Sequence, residues 1–168
     1  MQMERYALRL RAKKHQTYVE IDLNAIKSNI SFFKQKLPES TKILAMVKAS
    51  SYGSGIEQIG QYLERIGINY LGVAYADEGV ELRKAGISLP IMVMSPEKES
   101  FDSMLVYQLE PEIYSFNVLK QFAKAAAEFG TKEIRIHLKI DTGMHRLGFL
   151  PNELNSMLTE IKSLPYLK

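Results

Sequence analysis

The chain has 168 residues, 46% hydrophobic and 24% charged, which is the composition of an ordinary globular protein with room for one core. It has no cysteine, which excludes disulfides, thiolate metal sites and a cysteine nucleophile. It also has no apolar run near the roughly 20 residues that a membrane-spanning helix needs. Net charge is +3, and the charges are scattered except for one basic cluster from Arg5 to His15. That cluster reads as a solvated arm rather than a nucleic-acid surface. The N-terminus is charged from Glu4 onward and has no signal-peptide h-region. These features lead us to expect a cytoplasmic protein without a membrane, nucleic-acid or metal partner.

Residues 1–16 are basic and poorly patterned and are read as an arm or linker, with one domain over 17–168. Thr17 to Leu23 alternates like a strand, and Asp22 or Asn24 can cap the helix that follows, whose stripe is Ile26, Ile30, Phe33 and Leu37, closed by Pro38. A second strand, Lys42 to Lys48, runs through a glycine turn into a helix with Ile56, Ile59, Leu63 and Ile66 on one face. The rhythm then repeats. Strands are expected over Tyr70–Tyr75, Leu89–Met94, Glu110–Tyr114 and Glu133–Asp141. Helices are expected over Asp77–Ala85, over Glu97–Tyr107, from the Ser115 cap to Gly130, and after Pro151.

Alternating strands and helices imply a parallel sheet with right-handed crossovers. The strand Glu133–Asp141 sharpens this. Ile134, Ile136, Leu138 and Ile140 lie on one face, and Arg135, His137, Lys139 and Asp141 on the other. A strand sandwiched between two helix layers would be apolar on both faces. The polar face therefore lines a barrel interior or a site, or else belongs to an edge strand facing water. Strand starts recur about every 23 residues, so eight units would need roughly 180 residues, the usual size of an eight-stranded α/β barrel. The expected fold is α/β: a partial (β/α)8 TIM-type barrel of about five of eight βα units, plus an N-terminal strand and helix.

Lys48 stands at the C-terminal end of an apolar strand, the end where such folds place their sites. Partial desolvation there suits a covalent amine nucleophile or a general base, and the plain alternative is a lysine that snorkels into water. Arg146 follows the polar-faced strand on the same rim, where a planar guanidinium can grip a carboxylate; the plain alternative is a solvent-facing charge.

The stretch Met46-Val47-Lys48-Ala49-Ser50-Ser51-Tyr52-Gly53-Ser54-Gly55 resembles the cofactor-lysine motif of alanine racemases, with Ser51 and Ser54 where alanine and histidine are usual. Lys139-Ile140-Asp141-Thr142-Gly143-Met144-His145-Arg146-Leu147-Gly148 resembles that family's second motif at every fixed position, and Lys48 and Arg146 lie about 98 residues apart in the family's order. The resemblance runs from about Tyr18 to Lys168. It implies that Lys48 carries pyridoxal 5'-phosphate and acts as one acid/base. It further implies that Tyr52 turns its hydroxyl to the cofactor phosphate, that Arg146 contacts the substrate carboxylate, and that Lys139 is a candidate for carbamylation. An unmodified Lys139 would repel Arg146. Residues 7–23 also resemble the junction of fused enzymes that carry a Mur ligase ahead of the racemase.

In the complete family the late barrel strands and a β-rich domain supply most phosphate contacts and the second acid/base, a tyrosine acting across a homodimer interface. The expectation is therefore the N-terminal part of an isomerase that interconverts L- and D-alanine for peptidoglycan precursors, inactive as these 168 residues alone. A racemase of another small amino acid such as serine, and a non-catalytic cofactor-binding or truncated piece, are the alternative readings.

Overall fold

The computed structural model describes residues 19–130 and 133–168. The chain divides between Glu39 and Ser40 into two compact units. In the first unit, helix α1 spans Leu23–Lys36. Of the two candidate caps it is Asp22 that acts: its Oδ1 accepts from the amides of Asn24 at 2.8 Å and Ala25 at 3.3 Å. Residues 19–22 form no strand, so the helix begins where a strand over 17–23 was expected to end. Alternation alone does not make a strand; a ladder partner is also needed, and none is present among the described residues. Residues 1–18, which include the expected basic arm and the start of that strand, lie outside the described residues.

The second unit is a five-stranded parallel sheet in the order β1-β2-β3-β4-β5. The strands are β1 (Leu44–Met46), β2 (Tyr70–Val73), β3 (Ile91–Val93), β4 (Glu110–Ile113) and β5 (His137–Leu138). The helices that follow them are α2 (Ile56–Arg65), α3 (Ala76–Lys84), α4 (Phe101–Val106), α5 (Phe116–Phe129) and α6 (Leu154–Lys162). Strands that neighbour one another in strict chain order wind like a barrel; a doubly wound sheet would reverse direction at a switch point. The strands are shorter than the apolar runs that mark them, because those runs continue into the loops at both ends.

The register separates the sheet's faces. Leu44 pairs with Tyr70, Met46 with Gly72, Gly72 with Met92, Met92 with Glu110, and Glu112 with His137. In parallel ladders paired residues share a face, so these side chains lie together on one side. The alternate residues Val47, Leu71, Val73, Ile91, Val93 and Ile113 are buried on the other. There they join Ile56, Leu63, Leu82, Met104, Leu119 and Phe122 of the helices in the core. One face is thus the helix-packed core, and the other is mixed and partly polar, as in a barrel interior. A Cβ on Gly72 would stand 2.6 Å from Met46 Sδ and 2.9 Å from Leu44 Cδ2, so only glycine lets these two side chains lie across β2.

The fifth strand departs from expectation. Only His137–Leu138 pair with β4, extended by the Lys139 amide donating to the Ile113 carbonyl at 2.9 Å. Upstream the chain turns to a different partner. The amides of Ile134 and Ile136 donate to the carbonyls of Tyr166 and Lys168, each at 2.8 Å. Residues 134–136 are therefore shared with the 166–168 segment, which splits the expected nine-residue strand by partner. The exposed Arg135 and the half-buried His137 and Lys139 are not packed under helices.

At the N-terminal ends of the strands, Arg83 donates to the carbonyls of Tyr107, Ile87 and Leu89 at 3.0, 2.8 and 2.7 Å. Glu64 accepts from the Ser88 amide and hydroxyl and from the Leu89 amide. This end ties successive βα units together and leaves the opposite end for chemistry. A cavity of about 350 Å³ lined by Arg83, Ser88, Met104, Gln108 and Arg135 also lies at the N-terminal end, remote from Lys48 and Arg146. Among the described residues no helix is long and apolar enough to cross a membrane.

Candidate active site

Lys48 follows β1 directly. The Val47 amide donates to the Gly72 carbonyl at 2.8 Å, which carries the ladder up to the lysine. The chain then does something no residue type announces. Ala49, Ser50, Ser51 and Tyr52 all have φ between +52° and +55°, a left-handed helical turn within Lys48–Gly53 made of four consecutive non-glycine residues. Each such residue costs roughly 1–2 kcal/mol relative to the right-handed conformation, so the surroundings must hold the turn.

Glu78 of α3 does this. Its Oε1 accepts from the Ala49 amide at 2.5 Å, while its Oε2 accepts from the amides of Ala74 at 2.7 Å and Tyr75 at 3.2 Å. One carboxylate thus caps α3 and pins the residue next to Lys48 to the end of β2. Glu78 was missed as a candidate. Its signal was its place at the third position of a helix that follows a strand, which reads as ordinary capping until the fold brings Ala49 alongside.

Lys48 is half-buried and has neither an ion pair nor a hydrogen bond among the described residues. The Ser51 hydroxyl is buried without a partner in the same turn. Tyr52 is 67% exposed, its hydroxyl likewise unengaged. An amine held at a strand end with its charge uncompensated, next to a buried hydroxyl that lacks an acceptor or donor, fits covalent attachment of a phosphorylated aldehyde cofactor.

Arg146 sits on the loop after β5, at the same end of the parallel sheet as Lys48. This loop closes on itself. The Phe149 amide donates to the Lys139 carbonyl at 2.8 Å, and the Asp141 amide to the Phe149 carbonyl at 3.0 Å. Inside it, Asp141 Oδ1 accepts from the amides of Gly143 at 2.9 Å and His145 at 3.0 Å, and Oδ2 meets His145 Nδ1 at 2.8 Å. The Gly143 amide, then the His145 amide and ring, hold the Asp141 carboxyl at about 2, below its ordinary 3.8. Arg146 is exposed and has no ion pair among the described residues, so its guanidinium is available to an anion.

Below the loop, two polar pairs link β4 to β5. His137 Nε2 lies 2.8 Å from Glu110 Oε2 and 3.3 Å from the Tyr70 hydroxyl. Lys139 Nζ donates to Glu112 Oε2 at 2.8 Å. The structure thus places Lys139 on Glu112, a residue not singled out from the sequence. The signal was present: Glu110 and Glu112 alternate on one strand, and His137 and Lys139 alternate with complementary charge on the next.

Residues 21–168 match the family model described as alanine racemase, N-terminal domain. The chain belongs to the alanine racemase family. It is 40% identical over 149 residues to the alanine racemase of Methylacidiphilum infernorum (isolate V4), covering 88% of this chain and 38% of that protein. It is 39% identical over 140 residues to that of Helicobacter pylori (strain G27), covering 83% and 37%. Among solved structures, the alanine racemase of Clostridium difficile 630 superposes with a TM-score of 0.86 at 33% identity, covering 93% of this chain and 41% of that one. The match therefore falls on the N-terminal portion of the alanine racemase barrel, and the chain spans about two fifths of the length of these relatives.

Proposed function

We propose that this chain is the N-terminal part of a pyridoxal-phosphate-dependent alanine racemase that interconverts L- and D-alanine, feeding peptidoglycan precursors. Pyridoxal phosphate, when bound, supplies an electron sink that makes the Cα proton of the substrate acidic. In this reading Lys48 holds the cofactor through its Nζ and moves a proton at Cα on one face. Arg146 orients the substrate carboxylate, and Tyr52 turns its hydroxyl to the cofactor phosphate. By resemblance, the second acid/base is a tyrosine outside these 168 residues that acts across a homodimer interface. The 168 residues alone are accordingly expected to be inactive, since one lost proton-transfer group costs about 10²–10⁴-fold in rate.

The observation that supports this reading best is the half-buried, partnerless Lys48 at the same sheet end as the unpaired Arg146. Borohydride reduction of the intact protein with pyridoxal phosphate should mark the peptide containing Lys48, and Lys48→Ala should abolish both that mark and D-alanine formation in a coupled oxidase assay. A mark that persists at another lysine in Lys48→Ala overturns the assignment.

A further inference from the structure

We propose that Lys139 works as an unmodified ammonium held by Glu112, and that Glu112 is a positioning residue whose carboxylate neutralises the cation at the base of the Arg146 loop. The proposal deepens the reading of Arg146 as the carboxylate contact and rests on it for its functional consequence.

The geometry carries the argument. Glu112 and Lys139 stand at the C-terminal ends of adjacent strands, with Glu112 registered on His137 and Lys139 two residues further along the same face. Their side chains meet at 2.8 Å and are only 13% and 26% exposed, so the pair is shielded from water on most sides. Lys139 is also the residue that closes the loop, through its amide to Ile113 and its carbonyl from Phe149. Whatever charge Lys139 carries is therefore held at the foot of the segment that presents Arg146.

Carbamylation would require the Nζ lone pair to attack carbon dioxide, forming an N–C bond while one proton leaves to solvent. An ammonium donating to a carboxylate has no lone pair to offer. The product would also set a carbamate anion against the Glu112 carboxylate, a like-charge contact in a half-buried place. Both reactant and product are disfavoured by the same residue. Glu112 also removes the difficulty that an unmodified Lys139 would push Arg146 away, since the pair sums to zero charge. The Arg146 cation is then left uncompensated for a substrate carboxylate.

Two measurements on the intact protein test this. In ¹³C-bicarbonate, ¹³C NMR should show no protein carbamate resonance; one that disappears in Lys139→Arg overturns the proposal whatever the activity of the protein. In racemisation assays, Glu112→Gln leaves Lys139 unpaired near Arg146 and should raise KM for alanine roughly tenfold, with a smaller effect on kcat. Removing the second charge as well, in Glu112→Gln/Lys139→Met, should restore most of that KM. A double variant no better than the single one overturns the charge-neutralising role, because loss of a merely structural contact would not be rescued by deleting its partner. Should Arg146→Lys leave KM unchanged, the carboxylate-contact reading fails, while the NMR result still decides the state of Lys139.

Discussion

The two loops that present Lys48 and Arg146 lie at one end of one sheet, yet they are held in opposite ways. The Arg146 loop is fastened from within: Asp141, five residues before the arginine, takes the amides of Gly143 and His145, and the loop's two ends hydrogen-bond to each other. The Lys48 turn is fastened from outside. Its four left-handed residues depend on a carboxylate 29 positions away in sequence, on α3. A self-closing loop can present a charge to an incoming ligand without help from its neighbours. A strained turn clamped by the next βα unit is rigid only once that unit has packed, which suits a residue that must hold a covalently attached group in one orientation.

The largest blow to this contrast should come from Gly148→Ala. A Cβ there would lie 2.5 Å from the Asp141 backbone nitrogen and 2.8 Å from the Ile140 carbonyl carbon, at a φ of +125°. Neither neighbour is a side chain that can swing aside. The expected cost is about 3 kcal/mol in urea unfolding, and the damage should stay at the β5 end. Amide exchange should accelerate over 141–149 while 48–55 keeps its protection. Equal loss of protection in both loops would show that they are one cooperative piece.

Glu78→Ala breaks the other half of the comparison. Three amides lose their acceptor, one of them half-buried, so about 2 kcal/mol of stability should go, with Glu78→Gln losing roughly half as much because one oxygen remains. Here exchange should rise around Ala49 and Ala74 and leave Gly143 untouched. If Glu78→Ala changes neither stability nor exchange at Ala49, the left-handed turn is held by something other than this carboxylate.

The same contrast explains what could be read from the sequence. The βα rhythm, the strand order and the placing of Lys48 and Arg146 on one rim follow from periodicity and from motifs that are continuous in sequence. So do Asp22 as a cap and Ser115 with Gly130 at the two ends of α5. What was not legible depends on partners remote in the chain. The Glu133–Asp141 run has the alternation of one strand, but its first residues pair with 166–168 and only its later ones with β4. Thr17–Leu23 alternates too, yet its described residues find no ladder. Gly53 and Gly55 announced a turn, but not that the backbone goes left-handed four residues earlier, through Ala49 to Tyr52. Glu78 and Glu112 carry no motif; each becomes visible only when a neighbouring strand end arrives.

The smallest effect should be seen at acid pH and concerns the self-held loop alone. Asp141 titrates at about 2 in the folded chain against an ordinary 3.8, first because the Gly143 amide, and then the His145 amide and ring, donate to its ionised form. A carboxyl depressed by folding adds stability that is fully present above its unfolded value and is lost as pH falls through the folded one. The loop's contribution should therefore hold down to about pH 4 and drain away towards pH 2. A global acid-unfolding curve is too blunt to show it. Glu64 also titrates below its ordinary value, burial opposing the shift while the Ser88 and Leu89 hydrogen bonds and the Arg83 charge outweigh it. The readout should be local: the amide shifts of Gly143 and His145 followed by NMR should move together with a midpoint near pH 2, and Asp141→Asn should flatten both. A shared midpoint near the ordinary aspartate value would mean that the carboxylate does not hold those amides in solution, and that the Arg146 loop, like the Lys48 turn, depends on an anchor outside itself.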